Sequence, residues 1–147
     1  MVLFLIGCQT NSPTELSLNN LFNDHMVLQQ DTLVSFWGQA TKGVKVSLHS
    51  SWGAQATTVA DETGNWMVQL NTPKADNKSH TVTVKSKKNT IKIEDVLMGE
   101  VWLASGQSNM EMPMKGFRYA KVHELVEGAE EEIANANYPE IRMFTVK

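Results

Sequence analysis

The chain has a single cysteine, Cys8. That excludes an intrachain disulfide framework and any cysteine-rich zinc site. Its four histidines, His25, His49, His80 and His123, show no metal-ligand spacing, so no metal and no other cofactor is expected. No apolar stretch approaches the roughly 20 residues of a membrane-spanning helix. A basic surplus is missing as well. Thirteen Lys and Arg face 16 Asp and Glu, a net charge of −3, the wrong sign for neutralising phosphates, and no nucleic-acid partner is expected. What is present is a 147-residue chain that is 41% hydrophobic and 20% charged. Such a chain can bury a core, as one domain or as a small domain plus a piece of another.

The charge is unevenly placed. Residues 15–97 carry eight Lys and eight acids, whereas residues 98–147 carry five basic and eight acidic residues and so hold the whole net charge. Before both lies an uncharged start, Met1-Val2-Leu3-Phe4-Leu5-Ile6-Gly7-Cys8, followed by polar Gln9 to Thr14. Leu5-Ile6-Gly7-Cys8 resembles the lipobox of bacterial lipoproteins. The resemblance implies a lipid on Cys8, a polar tether behind it, and a place in the bacterial cell envelope, periplasmic or extracellular. It implies no other membrane contact. With no Lys or Arg ahead of the apolar run, the start of such a leader is expected upstream of Met1. Residues 1–14 are therefore read as signal remnant and tether.

From Leu21 to Leu97 the apolar pattern has period two. Val34, Phe36 and Gly38 form one such set; Val44, Val46 and Leu48 another; then Trp66, Val68 and Leu70, Val82 and Val84, Ile91 and Ile93. Period-two runs are strands with one buried face. Turn signals separate them: Thr41-Lys42-Gly43, Asp61 to Asn65, and Asn71-Thr72-Pro73 through Asn77. Short strands recurring every 8–12 residues predict an antiparallel sandwich or barrel over residues 15–97. Asp61-Glu62-Thr63-Gly64-Asn65-Trp66 reads as a hairpin, with Trp66 anchoring the returning strand. Trp37 and Trp66 are read as core. Trp52, beside Gly53 in a polar run, is open between packing and stacking on a sugar ring.

At Gly99 the pattern changes. Val101 to Ala104 is apolar without alternation, as in a strand covered on both faces. Tyr119, Val122, Val126, Ala129 and Ile133 recur at helical spacing, with Glu124, Glu127, Glu130 and Glu131 off the stripe. Asn135, Asn137 and Pro139 end that helix, and Ile141 to Val146 reads as a strand. Strand, helix and strand make one βαβ unit, the start of an incomplete α/β domain over residues 98–147. The expected class is thus mainly β, a sandwich followed by that start. Ser108 lies where sites form in α/β sheets, at a strand end before a helix. It is a candidate nucleophile, whose own N–H can help hold an oxyanion. Gly106 permits close backbone approach. Gln107 and Asn109 shape the turn or touch substrate, and Asn109 also suits a local cap.

Gly106-Gln107-Ser108-Asn109-Met110 is not the Gly-x-Ser-x-Gly elbow, since Met110 takes the last position. It resembles the first block of the SGNH (GDSL-like) hydrolases. The longer run Gly99 to Pro113 is similar to the nucleophile segment of the sialate O-acetylesterase family. Leu21 to Gln30, Val34 to Gly38 and Ile141 to Val146 are similar to other strands of that family. The resemblance covers about Leu16 to Lys147. It implies a β-sandwich, then an SGNH-type α/β domain, and metal-free hydrolysis of acetyl esters on sialic acids or related glycans by Ser108. It also implies later blocks, absent from this sequence, that bring the catalytic His, its acidic partner and further oxyanion donors. His123 is the sole His after Ser108 and is not expected to replace them, so the 147 residues alone are expected to be inactive. Lys115 or Arg118 could meet a sialic carboxylate, against the plainer reading of solvated surface charges. A xylan or other carbohydrate acetylesterase of the SGNH type is the enzymatic alternative. A non-catalytic glycan-binding sandwich, using Trp52 and nearby aromatics, is the alternative from another class.

Overall fold

The computed structural model describes residues 15–119, 122–124 and 126–146. Cys8 and the residues around it, and with them the lipobox reading, lie outside the described residues. The chain divides into two compact units, one ending at Val101 and the other Trp102–Lys147.

Among the described residues, the first unit holds eight strands: β1 (Ser17–Leu18), β2 (Val27–Gln29), β3 (Leu33–Gln39), β4 (Lys45–Ser50), β5 (Gln55–Val59), β6 (Asn65–Asn71), β7 (His80–Lys85) and β8 (Thr90–Gly99). They form a three-stranded sheet in the order β1-β3-β6 and a five-stranded sheet in the order β2-β8-β7-β4-β5. The inner faces follow the period-two positions. Phe36 lies opposite Val68, Val34 opposite Leu70, and Gly38 opposite Trp66. From the larger sheet come Val46, Leu48, Val82, Val84, Ile93, Val96 and Met98, all buried in the same core. Each large apolar side chain so buried contributes roughly 1.5–3 kcal/mol relative to exposure. The mainly β class is therefore realised.

Three details differ from the sequence reading. The pairing is not wholly antiparallel, because β2 lies parallel to β8, with Val27 opposite Leu97 and Gln29 opposite Gly99. Asp61–Asn65 closes a tight turn through Asp61 N–H to Asn65 O at 2.8 Å, with Gly64 at φ +86. Yet β5 and β6 belong to different sheets, so the turn is a corner and not a hairpin. Asp61 Oδ1 accepts from the Thr63 and Asn65 N–H groups and from the Thr63 hydroxyl, a local chemistry that serves either use. Finally, Trp66 is core, but Trp37 points to the other face. There it is half-buried, with the Phe22 ring edge-on at 4.7 Å. Phe22 also stacks on Phe36 at 4.7 Å, so one ring covers the edge of β3. Trp66 Nε1 is buried with no hydrogen-bond partner among the described residues.

A bulge interrupts β8 where it passes from one neighbour to the other. His80 pairs with Val96, but Val82 pairs with Ile93, so β8 spends three residue steps where β7 spends two. Asp95, inside the extra step, has φ +53. A residue near the left-handed region is a common way to absorb an unpaired position in a bulge. The His25 N–H donates to Glu94 O at 3.0 Å, and Leu97 N–H donates to Met26 O at 3.0 Å. The bulge thus marks the point where β8 takes on β2.

Phe36→Ala is expected to cost about 3–5 kcal/mol, since its fully buried ring would leave a cavity between the sheets. Urea unfolding should show a lower midpoint at unchanged slope. Gly38→Ala should also destabilise, because a Cβ there would lie 2.0 Å from the Ser17 carbonyl oxygen of the neighbouring strand.

Candidate active site around Ser108

Beyond Gly99 the chain forms no strand from Val101 to Gly106. Trp102 is 87% and Leu103 92% exposed. The doubly covered strand expected over Val101 to Ala104 is therefore not formed. An apolar run states a demand for cover; a strand also needs a neighbour on each edge, and no described strand pairs with these residues. Ile141 to Val146 behaves alike, with Met143 94% exposed and no strand.

The helix expected from Tyr119 to Ile133 is also corrected. Phe117–Tyr119 (β9) and Val122–Glu124 (β10) pair antiparallel, with His123 opposite Arg118. The helix, α1, covers only Ala129–Asn135. Gly128 at φ 74 is its N-cap, and Glu130, Glu131 and Glu132 fill the first turn, where the helix dipole favours acids. The stripe failed at its N-terminal half because Tyr119 and Val122 suit a strand equally well, and Gly128 sets the boundary. The βαβ unit is thus replaced by a hairpin and a short helix.

Ser108 opens a single 3-10 turn, Ser108–Met110, preceded by Gln107 in an extended conformation. The turn is closed by Met110 N–H to Gln107 O at 2.9 Å and Glu111 N–H to Ser108 O at 3.0 Å. The Ser108 N–H precedes both bonds, as the first amides of any such turn do. Ser108 itself is exposed. A Cβ on Gly106 would meet Met110 Cγ at 2.6 Å, so Met110 folds back over the glycine. Gln107 is exposed and makes no capping bond. The side chains of Asn109, Arg118 and His123 lie outside the described residues, and Lys115 is exposed. The described part of the second unit thus supplies a serine at a turn opening with a free-standing N–H.

The first unit contains two arrangements that local sequence did not signal. His25 Nδ1 lies 2.6 Å from Asp95 Oδ2, with both residues at positive φ, at the β8 bulge. Ser51, His80 and Asp76 form a second. Ser51 Oγ is 3.2 Å from His80 Nδ1, and His80 Nε2 is 3.0 Å from Asp76 Oδ1. That is the connectivity of a nucleophile, a base and an orienting acid. Its oxyanion donors are already spent: Ser51 N–H donates to Thr81 O and Gly53 N–H to Ser50 O. Ser51 Oγ in turn accepts from the Thr81 N–H at 3.0 Å. The trio is a brace that ties the β4–β5 turn, the start of β7 and the loop before it. Trp52 belongs to the same brace. Its indole N–H donates to Asn71 O at 2.8 Å and its ring meets His80 edge-on at 5.5 Å. Trp52 is half-buried in this packing. Among the described residues, no group of three or more His, Cys, Asp and Glu could hold a metal ion.

No family model matches the chain. Among known proteins, it is 30% identical over 133 residues to the sialate O-acetylesterase of Mus musculus, covering 84% of the chain and 23% of that enzyme. The Homo sapiens sialate O-acetylesterase is 34% identical over 99 residues, 61% of the chain and 19% of that enzyme. The chain belongs to the sialate O-acetylesterase family, matching an N-terminal portion of it. Among solved structures, a carbohydrate acetylesterase from Xanthomonas citri superposes with a TM-score of 0.61 at 36% identity, over 70% of the chain and 23% of that protein. The chain thus spans about a quarter of the length of the family members it matches.

The His80 hydrogen bond, first among several causes, holds the Asp76 carboxyl below its ordinary range. A carboxyl with a depressed folded pKa contributes stability above its unfolded pKa and loses it as pH falls through the folded value. Stability should therefore fall below about pH 4, near the ordinary carboxylate pKa. Asp76→Asn should flatten that fall, as read from thermal melts across an acid pH series.

Proposed function

We propose that this chain is the N-terminal part of an envelope-associated carbohydrate O-acetylesterase, with Ser108 as its nucleophile. One observation carries the reading: an exposed serine opens a tight turn in a chain that is 30–36% identical, over its matched parts, to acetylesterases. Ser108 Oγ attacks the acetyl carbonyl and displaces the sugar hydroxyl. An acetyl-serine forms, which water then hydrolyses to acetate. The Ser108 N–H donates to the oxyanion. The base that takes the serine proton, its acidic partner and further oxyanion donors come from SGNH-type blocks that do not follow Ser108 in these residues. Acetylated sialic acid is the substrate favoured by the names of the mammalian relatives, while the Xanthomonas protein keeps other acetylated glycans in play.

The test is acetate release from an O-acetylated sialoside and from acetylated xylan. The 147 residues alone should give no turnover, because general-base help is worth roughly 10²–10⁴-fold and each oxyanion donor about 10²–10³-fold. The full-length product of the gene should be active on one of the two, and its Ser108→Ala variant should lose roughly 10⁴-fold or more. Full activity in that variant would sink the nucleophile assignment.

Cys8 is the proposed lipid attachment. Acyl chains contribute about 0.8 kcal/mol per buried CH₂, so two or more would hold the protein on a membrane. Labelled palmitate fed to cells expressing the gene with its native upstream region should enter the protein, and should not enter Cys8→Ser. Equal labelling of both refutes the anchor.

A further inference from the structure

Three side chains close a network at the end of β8. Gln29 ends β2, Gln30 comes next, and Glu100 comes directly after Gly99. Gln29 Nε2 donates to Glu100 Oε2 at 2.9 Å and Gln30 Nε2 donates to Glu100 Oε1 at 2.8 Å. Each amide gives its oxygen to a backbone N–H. Gln29 Oε1 accepts from Val101 at 2.9 Å, and Gln30 Oε1 accepts from Ala75 at 2.7 Å. The Gln30 N–H also donates to Gly99 O at 2.9 Å. A carboxylate only accepts and a backbone N–H only donates, so both amides have one orientation that satisfies every group.

This network extends the β2–β8 pairing past its last register pair, Gln29 with Gly99. It holds Val101, the last residue of the first unit, and fastens the loop at Ala75 to the same carboxylate. The two amides also keep the Glu100 carboxyl below its ordinary range, so it stays ionised and accepting at neutral pH. Glu100 is exposed. Exposed hydrogen bonds return little beyond the rotamer freedom lost in ordering two Gln and a Glu. What the network supplies is therefore position. Ser108 comes seven residues after Val101.

We propose that Gln29, Gln30 and Glu100 are positioning residues for Ser108: they clamp the chain at Val101, where it leaves the sandwich. The inference rests on the reading of Ser108 as nucleophile. Misplacing a reacting group by about 1 Å can cost roughly 10²-fold in rate, so a clamp outside the site can act on turnover.

The test has two arms. In the 147-residue chain, amide hydrogen exchange is compared among wild type, Glu100→Ala, Glu100→Gln and Gln30→Ala. The Val101 and Ala75 amides should exchange about tenfold faster in Glu100→Ala, a local opening that leaves β7 and β8 protected. Glu100→Gln keeps one accepting oxygen and should fall between. In the full-length product, Glu100→Ala should lower kcat for acetate release by roughly 10²-fold with KM within about twofold, and Glu100→Gln should recover part of it. Unchanged exchange at Val101 overturns the clamp. A loss of protection throughout β7 and β8 in all three variants shows a merely structural role and overturns the positioning claim. Unchanged kcat in Glu100→Ala, beside an inactive Ser108→Ala, overturns this inference alone. Acetate release by Ser108→Ala overturns the nucleophile reading and takes this inference with it.

Discussion

β8 has to serve two neighbours that run in opposite directions, and the bulge at Asp95 lets it do so. Before the bulge, Thr90 to Ile93 pair with β7 in an ordinary antiparallel ladder. After it, Leu97 to Gly99 pair with β2 in parallel. The extra residue changes the strand's course, and His25 fills the gap with its N–H on Glu94 and its ring on Asp95. Two non-glycine residues near the left-handed region would be strained alone. Together they share one hydrogen bond. Once β2 is docked, Met26 and Leu28 enter the core, and Thr72 is buried against the same corner. Its hydroxyl lies 2.7 Å from Gln29 O and 2.9 Å from Thr32 O, one proton between two carbonyls. The Gln29–Gln30–Glu100 network is the far end of the same pairing.

The comparison of Ser108 with Ser51 shows how little connectivity alone says about chemistry. Ser51 has the hydrogen-bonded histidine and carboxylate that Ser108 lacks among the described residues. Its surroundings, however, use the Ser51, Gly53 and Thr81 N–H groups to hold the fold. Ser108 has the opposite endowment: it is exposed at the start of a turn whose two closing bonds do not use its N–H. Acyl transfer needs room for an oxyanion before it needs a relay, because the developing charge must be met by donors not already engaged. On that criterion Ser51 is a brace, and the proposed nucleophile is Ser108.

The strands that local sequence revealed are those with one face in the core. Val46 and Leu48, Val82 and Val84, and Trp66 and Leu70 alternate because the sheet alternates. β5 escapes notice because Gln55-Ala56-Thr57-Thr58-Val59 is an edge strand whose largest apolar residue, Val59, faces solvent. Trp37 misleads because it is apolar but out of phase: Phe36 beside it takes the core position, which sends Trp37 to the other face. In the second unit the apolar runs are visible, but whether a partner strand meets them is not a local property. The serine turn is legible because five adjacent residues carry it. The clamp is not, because Gln29 and Glu100 stand 71 residues apart and nothing near either one announces the other. The His25–Asp95 pair is hidden for the same reason.

The parallel pair also fixes an order of events during synthesis. β2 is made early, yet its partner residues Leu97 to Gly99 emerge 70 residues later. At ribosomal rates of about 5–20 residues per second, the wait is roughly 4–14 s. Loop closure over that separation must come before the pairing is rewarded, which places this β-rich chain among the slower-folding topologies. Through that interval Met26, Val27 and Leu28 form a short apolar strand with no ladder to join. It is the segment of the sandwich most open to capture by a chaperone or by the edge of another nascent chain.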